Sequence, residues 1–172
     1  MFQKAVIDSG PLFSALVLNY DLREIRYGRS PRFTDVLADP LQNTTAQQRF
    51  LELLGSIREK LTTSHVIAEL NGLEKSRLRL YGYGRLDFWR TSIDLLIQWD
   101  IDETLIRLLD LASDESFRAC LPEIGAIDTG LIQLALRHEC VLITEDERTL
   151  APEAWTRGVD CRLVKQLVPR IA

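Results

Sequence analysis

Short apolar runs and longer amphipathic stretches follow one another along the chain, and this alternation predicts strands and helices in turn. Residues 5–7 (Ala-Val-Ile) and 141–143 (Val-Leu-Ile) are continuous and rich in β-branched side chains, which is typical of strands covered on both faces. These two runs end at Asp8 and at Thr144. Less regular patterns predict three more strands, at residues 61–64, 97–101 and 161–167.

A helix and then a polar segment are predicted after the first strand. The helix follows the turn at residues 8–11 and uses Leu12, Leu16 and Val17 as its apolar positions. Residues 19–43 are polar and irregular, with four arginines between aromatic side chains. We interpret this segment as a long excursion or a partly helical flap.

Capping residues and apolar stripes predict the remaining helices. Thr44-x-x-Gln47 is the pattern of a capping box, and Ser64 and Asp102 stand where N-caps are expected. The stripes expected to be buried are Phe50, Leu53, Leu54, Ile57 and Leu61; Val66, Ile67, Leu70 and Leu73; Leu86, Trp89, Ile93 and Leu96; Leu105, Leu108, Leu109 and Ala112; and Leu131, Leu134, Ala135 and His138.

The order of strands and helices predicts a single α/β domain over residues 1–172. Strands that alternate with helices form a mostly parallel central sheet with helices on both faces. The chain has 172 residues, of which 46% are hydrophobic and 27% charged, a size and composition sufficient for one ordinary globular core. No internal repeat or linker divides it.

Charge and cysteine content narrow the function classes. The formal net charge of −4 excludes a protein that is basic throughout, so any contact with phosphate needs a local basic patch or a bound cation. Cys120, Cys140 and Cys161 are widely spaced, which indicates reduced thiols in a cytoplasmic protein. We find no run of 18 apolar residues and no signal peptide, so we expect no membrane association.

Four carboxylates occupy positions where the functional side chains of α/β proteins usually lie. Asp8 follows the first strand, Asp146 comes two residues after Thr144, Asp128 lies in the first turn of a predicted helix, and Glu69 lies in the second turn of another. The carboxyl ends of parallel strands and the starts of the following helices share one edge of a sheet. Each acid taken singly has an ordinary explanation, as a turn residue, a complement to a helix dipole or a solvated side chain.

Four sequence blocks containing these acids together resemble the PIN-domain nucleases, including the VapC-type toxin ribonucleases. In chain order the blocks are VIDSGPL, HVIAEL, AIDTGLIQLAL and VLITEDERTL, and they span Val6 to about Val164. The resemblance implies a three-layer α/β/α sandwich with a pocket for Mg²⁺ or Mn²⁺. The residues that it assigns to this pocket are the acids Asp8, Glu69, Asp128 and Asp146, with Ser9 and Thr144 as supporting hydroxyls.

Two features depart from the family pattern. The segment 19–43 makes the chain longer than the compact toxins and has no counterpart that we can match to them. Glu145 and Glu147 flank Asp146, so the register of the fourth acid is open, and Glu123 is a further candidate.

The chemistry implied is metal-dependent hydrolysis of RNA phosphodiester bonds. Carboxylates held close together raise one another's pKa values, and a divalent cation that prefers oxygen ligands relieves this repulsion. One ion lowers the pKa of a water and holds a phosphate oxygen, and a second can steady the leaving oxygen. The family resemblance further implies water as the nucleophile and products with 5′-phosphate and 3′-hydroxyl ends.

A basic and aromatic segment, residues 75–90, is the expected RNA-binding surface, because an acidic pocket alone repels RNA. Exposed tyrosines beside glycines can stack on unpaired bases, and arginines can contact phosphates. The residues expected to bind RNA are Arg77, Arg79, Tyr81, Tyr83 and Arg85. The alternative is that this segment, like the arginines of residues 20–33, is an ordinary solvated face.

The leading hypothesis is therefore an endoribonuclease that favours single strands and acts as the toxin of a toxin–antitoxin pair. A second hypothesis is a catalytically silent PIN-like module that binds RNA or protein. A phosphotransfer domain of receiver or haloacid-dehalogenase type is less consistent, because Gly10 stands where a second aspartate is needed. The family further implies an antitoxin partner and a homodimer formed through apolar residues within 12–18 or 50–61.

Overall fold

A five-stranded sheet, parallel throughout, forms the centre of the molecule. The computed structural model describes residues 2–168. The strands are β1 (Lys4–Ile7), β2 (Glu59–Thr63), β3 (Ile101–Thr104), β4 (Val141–Thr144) and β5 (Cys161–Leu163). Their spatial order is β3-β2-β1-β4-β5, with Val6 of β1 opposite Leu61 of β2 and Leu142 of β4. The prediction of a parallel α/β sheet is confirmed.

Helices cover both faces of this sheet. They are α1 (Ser9–Arg26), α2 (Thr44–Ser56), α3 (Ser64–Leu73), α4 (Gly82–Gln98), α5 (Leu108–Ala112), α6 (Glu115–His138), α7 (Leu150–Thr156) and α8 (Val164–Leu167). A 3-10 turn (Thr34–Val36) precedes α2, and a π-helical turn (Glu74–Leu78) extends α3. Helix α1 packs against α2, α3 and α4, whereas α6 packs against α5 and α7. The fold is therefore an α/β/α sandwich of three layers.

The apolar runs of the sequence correspond to the most buried strands. Residues 5–7 of β1 and residues 142–143 of β4 are completely buried, since these two strands lie inside the sheet and helices cover both of their faces. Strand β3 lies at the edge, and its Asp102 and Glu103 are exposed. This difference explains why residues 5–7 and 141–143 are apolar at every position whereas three of the four residues of the edge strand β3 are polar.

The first helix is longer than its polar sequence suggests: residues 19–26 continue it, so the segment 19–43 is partly helical and is not one long excursion. Helix α1 continues to Arg26 and buries the side chains of Tyr20, Asp21 and Glu24. Polar residues are tolerated inside because they are paired with the chain that follows, as described below. Only residues 27–43 leave the helix.

Two predicted caps are displaced by one residue. Asn43, rather than Thr44, caps α2, because its side-chain oxygen accepts from the backbone N–H groups of residues 45 and 46 at 2.9 and 3.3 Å. Thr63, rather than Ser64, caps α3 by accepting from the N–H of residue 66 at 3.3 Å. In both cases the residue before the predicted one keeps the extended backbone that an N-cap requires.

The region of α4 and β3 differs most from the predicted pattern. Helix α4 buries Phe88, Thr91, Ser92 and Leu95, one step out of phase with the predicted stripe, of which Leu86 and Ile93 are half exposed. Thr91 and Asp87 turn inward because both accept hydrogen bonds from Arg23 of α1.

The observed boundaries of α4 and β3 also differ from the predicted ones. Ile97 belongs to α4 and Trp99 caps its end, so the predicted strand 97–101 does not exist as such. Asp102 lies within β3, and Arg107 occupies the N-cap of α5. The predicted 161–167 strand is likewise shorter, because residues 164–167 form α8.

Helix α6 is divided at Gly125, whose φ of 83° and ψ of 172° are not helical. A φ of this sign is readily adopted only by glycine. Asp128 therefore lies in the first turn of the second segment, as predicted. By length and composition α6 would also be able to cross a membrane, with a mean hydropathy of 1.3. Buried core helices meet the same criterion, and residues 129–135 of α6 are buried against the rest of the molecule.

Candidate functional site

One pocket at the carboxyl edge of the sheet contains the predicted acids. It has a volume of about 430 Å³. Its lining residues come from six separate parts of the chain and are Asp8, Ser9, Gly10, Val36, Leu37, Ala38, Glu69, Leu73, Arg77, Asp128, Glu145 and Asp146. The structure thus places the four carboxylates predicted from the sequence, and Ser9, around one space. Thr144 lies directly beneath it, hydrogen-bonded to Asp8.

Asp8 is the most firmly held of these acids. Its side chain is the N-cap of α1 and accepts from the N–H of Ser9 at 2.5 Å, while its other oxygen accepts from the Thr144 hydroxyl at 2.7 Å. Burial raises the pKa of Asp8, and the hydrogen bonds from Thr144 and Ser9 offset this only in part. The two central strands are therefore linked at their ends by a buried carboxylate.

Burial and the neighbouring acids both disfavour the charged form of Asp128. Burial raises the pKa of its carboxyl to about 7, and the charges of Asp8, Asp146 and Glu69 act in the same direction. Without a cation in the pocket, the Asp128 carboxyl therefore exchanges its proton near neutral pH. Glu69, which is half buried on α3, also raises the pKa of Asp8 by its charge. All four acids are electrostatically coupled.

Asp146 is in a different environment. Its burial raises the pKa, but the Thr149 hydroxyl and the surrounding backbone N–H groups donate to the carboxylate and hold the pKa below its usual value. The N–H groups of Arg148 and Thr149 donate to one oxygen at 2.8 and 2.9 Å. The Asp146 N–H in turn donates to the Thr144 hydroxyl at 2.9 Å. Asp146 is thus ionised and fixed at the start of its loop.

A fifth carboxylate, Glu145, also belongs to the pocket. From the sequence, Glu145 is only an alternative to Asp146 as the fourth acid. It is mostly buried, and its oxygen accepts from the Ser14 hydroxyl at 2.7 Å. Burial raises its pKa, which the charge of Arg77 lowers in part. The signal in the sequence is Gly10, because a Cβ there would lie only 3.2 Å from the Glu145 side chain.

The other two acids considered do not line the pocket. Glu123 is exposed on the first segment of α6. Glu147 is exposed and pairs with Lys165. Of the alternatives for the fourth acid, Asp146 and Glu145 both line the pocket.

Of the predicted RNA-binding residues, only Arg77 reaches the pocket. Its guanidinium lies 5.6 Å from the centre of the buried Phe13 ring, and it makes no hydrogen bond or ion pair with any other residue of 2–168. Arg79 is exposed at the end of the π-helical turn, with a positive φ of 51°. Tyr81 and Tyr83 are exposed by 83% and 77%. These three residues lie outside the pocket lining.

Arg85 has a structural partner. Its Nε donates to Glu74 Oε2 at 2.8 Å, and its Nη2 donates to Asn71 Oδ1 at 2.7 Å. Glu74 is completely buried, so the guanidinium neutralises a carboxylate that has no access to water. The predicted RNA contact of Arg85 stays untested, but replacing it would affect folding first.

The donor set of the pocket fits a hard divalent cation. Five carboxylates supply oxygen ligands of the kind that Mg²⁺ and Mn²⁺ prefer, and the raised pKa values of Asp8 and Asp128 mean that a positive charge would be stabilising there. Within residues 2–168, however, no group of three or more acidic, histidine or cysteine side chains is already arranged as a metal site. The fit therefore rests on chemistry and charge.

Comparison with known proteins does not assign the chain. No protein-family model matches it, and no curated protein is significantly similar to it.

Proposed function

We propose that the protein is a metal-dependent endoribonuclease of the PIN-domain type that hydrolyses phosphodiester bonds in RNA. The observation that carries the proposal is the convergence of Asp8, Glu69, Asp128 and Asp146 from four separate elements on one pocket at the carboxyl edge of the sheet. The raised pKa of Asp128 supports it, because perturbed carboxylates in a cleft mark functional sites more often than structural ones. On the resemblance, the protein acts as the toxin of a toxin–antitoxin pair.

The residues of the pocket would have different roles, which follow from their environments. Asp8, Glu69, Asp128 and Asp146 would hold Mg²⁺ or Mn²⁺, which when bound polarises a phosphate oxygen and acidifies water. Thr144 and the Ser9 N–H fix the orientation of the Asp8 carboxylate. Asp146 contributes a constant negative charge, because its hydrogen bonds keep it ionised. Asp128, whose pKa is about 7 without a cation, would give up its proton when the cation binds.

The test is cleavage of a labelled single-stranded RNA in the presence of Mn²⁺ by the wild type and by Asp8→Asn. We expect the variant to lose at least about 10³-fold in rate, since activity that depends on a bound cation requires this ligand. Asp102→Asn is the matched control, because Asp102 is an exposed carboxylate on the edge strand and its variant should cleave normally. Mass spectrometry of the products should find 5′-phosphate ends. Equal cleavage by wild type and Asp8→Asn would refute the proposal.

A second candidate function is a silent module that binds RNA or a protein without cutting. What favours it is the lack, in the described part of the chain, of a preformed group of metal ligands. The exposed Tyr81 and Tyr83 beside the π-helical turn are suited to stacking on unpaired bases. RNA binding by the wild type and by Asp8→Asn, with no cleavage by either in Mg²⁺ or Mn²⁺, would establish this second function.

A further inference from the structure

The edge of the sheet formed by β3 is open. Within residues 2–168, β3 pairs with β2 alone, and no backbone hydrogen bond outside that ladder reaches residues 101–104. The N–H and C=O groups on the outer side of β3 therefore keep their capacity for hydrogen bonds. An edge of this kind is a template on which an extended segment can be added as a further strand.

An apolar groove lies beside this open edge, on the face of the sheet that carries α3 and α4. The residues that line this edge groove are Ile67, Leu96, Ile97, Asp100, Ile101 and Glu103. Its volume is about 350 Å³, and the Ile97 side chain is 71% exposed. Alternate residues of a strand face the same side of a sheet. A strand added to β3 would therefore direct every second side chain to the edge groove.

The acids around the edge groove are unpaired. Asp100, Asp102 and Glu103 are all exposed, and none of them has an ion pair within residues 2–168. Asp100 and Glu103 lie at the rim of the groove itself, and Asp102 lies between them and faces the other side of the strand. The open edge is therefore lined by negative charge on both faces.

Three basic residues line the adjoining cleft at the amino ends of β2 and β3, and two of them are already engaged. Lys4 pairs with Glu59 at 3.0 Å. Lys60 is buried, and its Nζ donates to the Ile57 carbonyl at 2.5 Å. Arg58 is the third and is exposed. The negative charge of the edge is therefore only partly offset by the residues around it.

This charge favours a different protein over a second copy of the chain. Two β3 strands placed edge to edge would bring Asp102 and Glu103 of each copy close to the same carboxylates of the other, and like charges opposed across strands are destabilising. Exposed charges on edge strands protect sheets from self-pairing in this way. A strand that carries lysine or arginine gains opposite-charge pairs at the same positions.

We propose that β3 accepts an extended segment of a partner protein as an additional strand, with an apolar side chain in the edge groove and basic side chains beside the three acids. In strand addition the main-chain hydrogen bonds supply affinity, and the pockets for alternate side chains supply specificity. The partner segment is therefore one in which apolar and basic residues alternate. The edge groove shares no lining residue with the carboxylate pocket, so this surface is independent of the proposed nuclease activity.

The probe for this surface is a labelled peptide of about eight residues, a usual strand length, in which isoleucine and lysine alternate. Fluorescence anisotropy measures its Kd. Ile97→Asp should weaken binding at least about tenfold, because the peptide loses its apolar contact in the groove. The added carboxylate attracts lysine, so charge cannot account for such a loss. Ile25→Asp, at an exposed isoleucine of α1 outside the groove, is the matched control and should bind as the wild type does.

Two measurements test whether the peptide is added as a strand. A peptide N-methylated at every internal residue keeps the side chains and the charge but has no backbone donors there, and it should bind at least about tenfold more weakly. Hydrogen–deuterium exchange of residues 101–104 should become slower when the unmodified peptide binds. No measurable binding by the wild type, equal affinity of the methylated peptide, or equal Kd values for Ile97→Asp and Ile25→Asp would overturn the proposal.

The contribution of charge and the identity of the occupant are tested separately. Glu103→Gln should weaken binding about two- to fivefold, whereas Glu115→Gln, at an exposed glutamate of α6, should not. Sedimentation velocity of the protein alone tests the second copy: self-association that Ile97→Asp abolishes would assign the edge groove to another copy of the chain and overturn the proposal. None of these measurements uses RNA or cleavage, so their outcome is independent of whether the protein is a nuclease.

Discussion

Two groups of carboxylates in this molecule differ in whether an arginine neutralises them. Glu24 and Glu74, both completely buried, have arginine partners: Arg29 lies 3.1 Å from the first, and Arg85 lies 2.8 Å from the second. The carboxylates of the pocket have no arginine within ion-pair distance, and only Glu145 has its pKa lowered by the more distant charge of Arg77. No ion pair between residues 2–168 involves Asp8, Asp128 or Glu145.

This difference distinguishes structural charge from functional charge. A buried carboxylate costs several kcal/mol of desolvation unless an ion pair or hydrogen bonds compensate for it, as the N–H groups of Arg32 and Phe33 do for Asp21. The pocket keeps one buried and four partly buried carboxylates together, with support from the hydroxyls of Ser14, Thr144 and Thr149 and from backbone N–H groups. Hydrogen bonds of this kind orient carboxylates without cancelling their charge, which leaves that charge available to a cation from solution.

The largest expected effect is a loss of stability when a carboxylate of the first group loses its arginine partner. Arg85→Ala should lower the free energy of unfolding by about 3 to 5 kcal/mol, because it leaves Glu74 charged and buried. Glu74 Oε1 already has no hydrogen-bond partner among the described residues, so without Arg85 the buried carboxylate would keep few compensating contacts. Urea denaturation measures the loss.

Arg118→Ala, at an exposed arginine of α6, is the matched control for this variant and should change stability by less than about 0.5 kcal/mol. A small loss in Arg85→Ala together with weaker RNA binding would show instead that Arg85 serves the RNA surface predicted from the sequence.

Much of the pocket could be predicted because it depends on short stretches of sequence. Asp8 and Asp146 follow apolar runs, and in a parallel sheet the ends of such strands meet at one edge. Asp128 follows Gly125, where α6 is interrupted and its second helical segment begins. These placements depend on strand and helix boundaries that local pattern determines well.

What could not be predicted depends on contacts between distant residues. Glu145 turns into the pocket because Ser14, 131 positions away, donates to it. Arg85 pairs with the buried Glu74, and α4 is rotated out of its predicted phase by Arg23 of α1. The hydrophobic pattern around a polar residue does not indicate which distant residue pairs with it. Its burial therefore cannot be predicted from that pattern. The pocket residues Val36, Leu37 and Ala38 could not be predicted because they lie in a segment without periodicity.

A second, intermediate effect is expected when a divalent cation is added. Mg²⁺ at about 100 times its Kd should stabilise the wild type by about 2.7 kcal/mol, provided that it binds only the folded chain. Asp8→Asn and Asp128→Asn should show much smaller gains, whereas the exposed Asp102→Asn should gain as the wild type does. Thermal unfolding with Mg²⁺ or with chelator measures these shifts. A cation-induced gain that persists in both pocket variants would place the binding site elsewhere.

The smallest effect concerns pH and is expected only in chelator. The pKa of Asp128 is about 7 in the folded chain, against 3.8 as its ordinary value. Between these values the folded state binds more protons than the unfolded state, so stability due to this group is present at low pH and is lost as pH rises through about 7. The free energy of unfolding should therefore fall by on the order of 1 to 2 kcal/mol between pH 5 and pH 8, after allowance for solvent screening.

Asp128→Asn isolates this contribution. Asparagine keeps the shape of the side chain but has no proton to lose, so the variant should lack this part of the pH dependence and be the more stable protein at pH 8. Most paired carboxylates act in the opposite sense, since a lowered pKa makes stability rise with pH. A wild type in chelator with the same slope as Asp128→Asn would mean that the Asp128 carboxyl is not under repulsion, and the contrast between paired and unpaired acids would lose its clearest member.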